Sequence, residues 1–215
     1  MKRSILAAMV GLGLVFATSS AVEAQLTNFP HYAVPSAFGT PASFFSLDFG
    51  RGLNEMSGKQ NAFGVAYGRT GIADRVGITI GAGMVNYDPD AKYTFGGNVA
   101  VDILGADSDT QIAVQGGVGY ISLADQVSST NIPIGVAVKG MQAGESMNFG
   151  WWFMPRLDYT RAKVGGLTGS NTDLGASAGA SITAPGGFGV HLAIDLLAAD
   201  QSVWGGGIGV HYLIG

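Results

Sequence analysis

From Phe45 to Ile214 bulky apolar residues alternate with small ones at period two, the spacing that sends successive side chains to opposite faces of a β-strand. Phe63-Gly64-Val65-Ala66-Tyr67-Gly68 shows the rule: the large residues take one parity and the small ones the other. Val76-Gly77-Ile78-Thr79-Ile80-Gly81 repeats it, and so does Phe188-Gly189-Val190-His191-Leu192-Ala193-Ile194-Asp195. A water-soluble barrel would turn its apolar face inward and show solvent a face rich in Lys, Glu and Thr. The second face here is too small and too weakly charged for that. It suits a narrow lumen, leaving the bulky face for lipid.

The pattern predicts ten strands, at 43–51, 61–69, 75–85, 92–103, 110–121, 131–140, 147–160, 172–183, 187–198 and 203–214. Eight or twelve remain open, because 92–103 and 147–160 could each hide a bend. The expected fold is all-β: a single closed antiparallel up-and-down transmembrane barrel spanning 43–215. Closure is required because a spanning sheet cannot leave an edge unpaired in hydrocarbon. Turn-forming residues separate the runs. Asn54–Gly58, Asp88-Pro89-Asp90, Val127–Thr130 and Gly165–Gly169 follow odd strands. On the whole tighter turns follow even ones, at 70–74, 106–109, 144–146 and 185–187. With the first strand rising from the periplasm, the longer set faces outside.

Composition agrees. Only 12% of residues are charged, about half the usual 25%, and 35 of 215 are glycine without any collagen period. A net charge of −4 leaves no basic footprint for nucleic acid. The first 24 residues read as a secretory signal: Lys2 and Arg3, an apolar run from Ile5 to Ala17 too short to span a bilayer, and Val22-Glu23-Ala24 before a cleavage at Gln25. Residues 25–42, with three prolines, read as an irregular periplasmic lead-in. The absence of cysteine excludes disulfides, thiolate metal sites and a lipid-anchored cysteine.

Aromatic residues of the outward parity gather toward strand ends, among them Tyr67, Tyr93, Tyr120, Trp151, Tyr159, Trp204 and Tyr212. An apolar ring with a polar tip belongs at a membrane–water interface. Glycine and alanine dominate the inward parity and leave room for a few large side chains. The inward polar candidates for a constriction are Asp48, Arg75, Asp102, Lys139, Arg156, Asp158, His191, Asp195 and His211. Buried charges need partners. A third hairpin turning at 88–89 sets Arg75 opposite Asp102, predicting an ion pair. Arg156 and Asp158, two apart on one face, predict a salt-bridge network with Lys139. The charges form no ring of a single sign, so strong ion selectivity is not expected.

A last hairpin turning at Gln201 sets His191 opposite His211, with Asp195 some 13–14 Å along the strand from His191. Two imidazoles and a carboxylate raise a metal or general-base reading. No third ligand stands at a suitable spacing, so the expectation is imidazoles bonded to Ser, backbone or water, with no metal and no cofactor.

The chain resembles the outer-membrane β-barrel domain family, the broad group of small OmpA-type and related bacterial barrels. The resemblance runs from Phe44 to the C-terminus, on repeated apolar-Gly-apolar strands and a closing strand Trp204-Gly205-Gly206-Gly207-Ile208-Gly209-Val210-His211-Tyr212. Members usually end in an aromatic residue read by the barrel-insertion machinery. This chain ends Leu213-Ile214-Gly215, with Tyr212 as the substitute. The resemblance implies a bacterial outer-membrane location, with outer-membrane lipid and the insertion machinery as partners. The functional expectation is a non-enzymatic structural barrel or a narrow passive channel for small solutes. The alternatives are a barrel enzyme with a lumen or rim histidine site, and a soluble secreted barrel for a small apolar ligand.

Overall fold

The computed structural model describes residues 43–53, 61–72, 75–86, 91–104, 110–124, 127–198 and 202–214. The expected signal segment, the lead-in, and the loops at 54–60, 87–90 and 105–109 lie outside the described residues. Ten strands follow in order: β1 Ser43–Gly52, β2 Asn61–Ile72, β3 Val76–Asn86, β4 Ala91–Leu104, β5 Thr110–Ala124, β6 Val127–Ala143, β7 Asn148–Val164, β8 Leu167–Thr183, β9 Phe188–Ala198 and β10 Val203–Ile214. Each pairs antiparallel with its chain neighbours, and β1 pairs with β10 to close the barrel. Ten register pairs, Ser43↔Ile214 to Gly52↔Gly205, form that closing seam. We call the end where β1 begins the lower end.

The parity holds along the strands. Ile80, Leu192 and Ile208 are 57–59% exposed on the outside, while Phe44 and Trp152 are at most 1% exposed inside. The bulky rows do not meet in a dry centre, which removes the water-soluble barrel. A soluble protein would not surround itself with a continuous apolar wall.

Strands β6, β7 and β8 run further than the alternation indicated. Each has 17 residues, against the roughly nine to eleven that one tilted crossing requires. The sequence placed loops at 127–130 and 165–169. The ladder instead continues through Thr130↔Arg161 and Lys163↔Thr168 to a two-residue turn at Gly165-Gly166. Both glycines have positive φ, 55° and 85°, the conformation a tight hairpin demands. The alternation faded because these extensions stand beyond the apolar belt. On β7 the outward row runs Phe149, Trp151, Phe153, Pro155, Leu157, Tyr159, then Arg161 and Lys163. Backbone pairing continues where there is no longer hydrocarbon to select apolar side chains.

Candidate functional site

The lumen is where the chemistry-bearing side chains converge, and inward glycines make room for them. Trp152 pairs laterally with Gly179, and the row continues through Ala193 and Gly207 to Gly50. The indole reaches over Gly179 and packs with Ala193; a Cβ on Gly179 would overlap its ring. Phe44 lies in the same way over Gly68. Trp152, Phe44, Met154, Ala113, Ala137 and Ala193 form one apolar plug, with Leu213 against it. A second, of Ala62, Val85 and Ile121 with Val127, stands toward the upper end.

Two polar clusters flank the first plug. On β7 the inward row reads Trp152, Met154, Arg156, Asp158, and on β9 it reads His191, Ala193, Asp195. Arg156 Nε donates to Asp158 Oδ2 at 2.8 Å and Nη1 to Asp195 Oδ1 at 2.7 Å. The guanidinium therefore bridges β7 to β9 across β8. It passes over Gly175, where a Cβ would overlap the Asp158 carboxylate. The planar fork suits two carboxylates at once. Lys139 pairs with Asp102 across β5.

The lower cluster draws on four strands. His191 Nε2 and Asp48 Oδ1 are 2.6 Å apart, and Ser46 Oγ donates to Asp48 Oδ2 at 2.7 Å. His191 Nδ1 and His211 Nδ1 are 3.2 Å apart, and His211 Nε2 lies 2.8 Å from Thr183 Oγ1. The register explains the geometry. One lateral row is Ser181, His191, Gly209, Asp48; the next is Thr183, Gly189, His211, Ser46. Each imidazole leans over a glycine to reach a partner two strands away, and a Cβ on Gly209 or Gly189 would strike the ring. All four ring nitrogens have a protein partner. Among the described residues no three His, Asp or Glu side chains are grouped to hold a metal ion.

Several expectations need correction. Residues 75 and 102 are indeed opposed, since Asp102 N donates to the Arg75 carbonyl. The Arg75 side chain is exposed, however, and the Asp102 carboxylate turns inward to Lys139. Lys139 is consequently not part of the Arg156 network; Asp195 takes that place. His191 is opposite Gly209, not His211, because the β9–β10 ladder is offset by two residues from the expected register. The carboxylate beside His191 is Asp48 of β1 rather than Asp195.

Of the interface aromatics, Tyr67, Tyr93, Tyr159, Trp204 and Tyr212 are exposed, and Tyr120 and Trp151 are half-buried. Phe45 packs on Tyr67 and Phe95 on Tyr120, each pair with centroids 5.0 Å apart. An apolar groove of about 750 Å³ opens near Phe45, Leu47, Val65, Tyr67 and Tyr212, and its lining includes Ser46 and His211 of the lower cluster. The sequence reading missed Trp152, Ser46 and Thr183. For Trp152 the signal was present: if Trp151 faces out, its neighbour must face in.

No family model matches the chain, and no curated protein matches it in sequence. Solved structures similar to it include the N-terminal β-barrel domain of Pseudomonas aeruginosa OprF, at 10% identity and TM-score 0.40, covering 81% of this chain and 98% of that one. The outer membrane protease OmpT of Escherichia coli is similar at 8% identity and TM-score 0.43, covering 81% and 98%. The translocator domain of the autotransporter NalP from Neisseria meningitidis is similar at 12% identity and TM-score 0.46, covering 93% and 98%.

Proposed function

We propose that this chain is an integral barrel of a bacterial outer membrane whose lumen is sealed by its own side chains, so that it serves as a structural element. Two properties support the membrane location: a sheet closed into a barrel by the β1–β10 pairing, and an outer wall of exposed Phe, Leu, Ile and Val with aromatic residues toward its rims. The observation that carries the structural role is the occupancy of the lumen. Among its large members, Trp152, Phe44, Lys139, His191 and His211 are at most 2% exposed and Arg156 is 4% exposed. A conducting pore would leave at least one wetted path along them. A catalytic role for the histidines would need a member that substrate can reach, and Asp48, Thr183, His191 and His211 are all at most 3% exposed.

A narrow passive channel for small solutes is the second reading, and one observation favours it. Thr79 Oγ1, Asn98 Oδ1 and Gln115 Oε1, on the adjacent strands β3, β4 and β5, are buried without a hydrogen-bond partner among the described residues. Such groups cost about 1–3 kcal/mol each when left dry, so this wall would gain from water. Planar-bilayer recording on the purified barrel separates the readings. The structural reading expects a flat baseline at neutral pH. Steady ohmic conductance from single insertions would establish the channel instead.

A further inference from the structure

The lower cluster is a continuous hydrogen-bonded chain laid across the seam where the barrel closes. Its donor order follows from chemistry. An ionised Asp48 can only accept, so His191 carries a proton on Nε2. In a neutral His191, Nδ1 is then bare and accepts from His211 Nδ1–H. That leaves His211 Nε2 bare, and it accepts from the Thr183 hydroxyl. Every link is satisfied with no ring charged.

One added proton leaves the chain intact. His191 becomes an imidazolium beside the Asp48 carboxylate and donates Nδ1–H to His211 Nδ1. The His211 proton then sits on Nε2 and donates to Thr183 Oγ1. All the links survive: the His191–Asp48 bond keeps its direction, the His191–His211 and His211–Thr183 bonds reverse, and the new charge is offset by Asp48. A second proton cannot be accommodated. Both Nδ1 atoms would carry hydrogen and face each other at 3.2 Å, donor against donor and cation against cation. Among the described residues, Asp48 is the carboxylate hydrogen-bonded to the pair. Beside Asp48 of β1, the same lateral rows carry the hydroxyls of Ser46 on β1 and of Ser181 and Thr183 on β8. Arg69 of β2 and Arg75, just before β3, lie exposed; Asp195, further along β9, already holds Arg156.

We propose that Asp48, His191, His211 and Thr183 form a one-proton latch. It ties β1 to β9 and β8 across the β1–β10 seam, tolerates a single proton, and releases the seam on the second. Four strands meet in it through residues up to 143 positions apart, so its loss acts on closure rather than on one hairpin. The latch is independent of whether the lumen conducts, and its test does not read conductance.

The test follows the refolded full-length barrel in detergent micelles between about pH 8 and about pH 4, the interval in which imidazoles gain protons. The readouts are side-chain ¹⁵N shifts of the histidines and the folded fraction on heat-modifiability gels. Wild type is expected to take up one proton with the β1 and β10 amide signals unchanged, and to lose those signals together with the second uptake. His211→Gln removes the repelling ring, so its fold is expected to persist at acid pH where wild type fails. Asp48→Asn removes the compensating charge and is expected to move the failure to higher pH, with the first proton. Identical acid profiles for wild type and both variants would overturn the latch. If the variants do not fold, wild type alone decides. Two bare Nδ1 atoms at neutral pH, or two imidazolium rings in an unchanged seam, would overturn it equally.

Discussion

Replacing Arg156 with Met is expected to destabilise the barrel by about 3–5 kcal/mol, the cost of stranding buried charge when one partner of an ion pair is removed. Arg156 is the shared partner of Asp158 and Asp195, and the side chains of Arg156 and Asp158 are fully enclosed. Without the guanidinium, two carboxylates remain in a lumen surrounded by hydrocarbon. The triple variant Arg156→Met, Asp158→Asn, Asp195→Asn is expected to recover most of the loss, because removing every charge leaves none uncompensated. Urea unfolding in micelles measures both. A single variant as stable as wild type, or a triple variant no better than the single, would show that the network does not hold the lumen wall together.

Trp152→Ala is expected to cost a similar amount, about 3–5 kcal/mol, and to do so by a different route. The indole is the largest side chain of the lower plug and lies over Gly179 and Ala193. Truncation leaves a hole lined on one side by residues that have nothing to move into it. Gly179→Val attacks the same contact from below. It is expected to cost about 1–3 kcal/mol by overpacking, since its Cβ alone would overlap the ring. The two substitutions also differ in bilayers. Trp152→Ala is expected to raise conductance above the wild-type baseline, while Gly179→Val leaves the lumen shut. Conductance that does not change in the alanine variant would show that the seal lies elsewhere.

These expectations rest on features that the sequence revealed unevenly. Strand number, closure and the outward direction of Phe45, Tyr67, Ile80 and Ile208 follow from parity alone. A single slip in register would turn every such side chain to the other face, and hydrocarbon selects strongly against that. The inward positions of Asp48, Lys139, Arg156, Asp158, His191, Asp195 and His211 follow from the same rule. Their partners do not. Hairpin arithmetic relates only adjacent strands, and it depends on the residue at which the turn is centred. Arithmetic centred on Gln201 misplaced His191 by two positions. The Asp48–His191 contact crosses the seam, whose register no hairpin sets; it is fixed only when β1 meets β10. Arg156 reaching Asp195 over Gly175, and Lys139 reaching Asp102 over β5, are contacts between strands two apart. They depend on which intervening inward residue is small, a fact visible in the sequence only after the lateral rows are known.

Part of the glycine content has a packing cause. Gly175, Gly179, Gly189 and Gly209 each lie beneath a side chain from a neighbouring strand. Their value is the missing Cβ. A lumen enclosed by ten strands can then hold an indole, a guanidinium and two imidazoles. The extensions of β6 to β8 were hidden for the opposite reason. Beyond the apolar belt, Ser128, Thr130, Arg161, Lys163, Thr168 and Ser170 carry a backbone ladder with no side-chain signature that separates strand from loop.

Which side chains meet lipid is reported directly by the three tryptophans, Trp151, Trp152 and Trp204. In vesicles of brominated phospholipid, barrels keeping only Trp204 or only Trp151 are expected to lose most of their fluorescence to bromine. A barrel keeping only Trp152 is expected to retain its emission against both bromolipid and aqueous iodide. Bromine quenching of Trp152 with Trp204 spared would place the bulky rows inside and contradict the account.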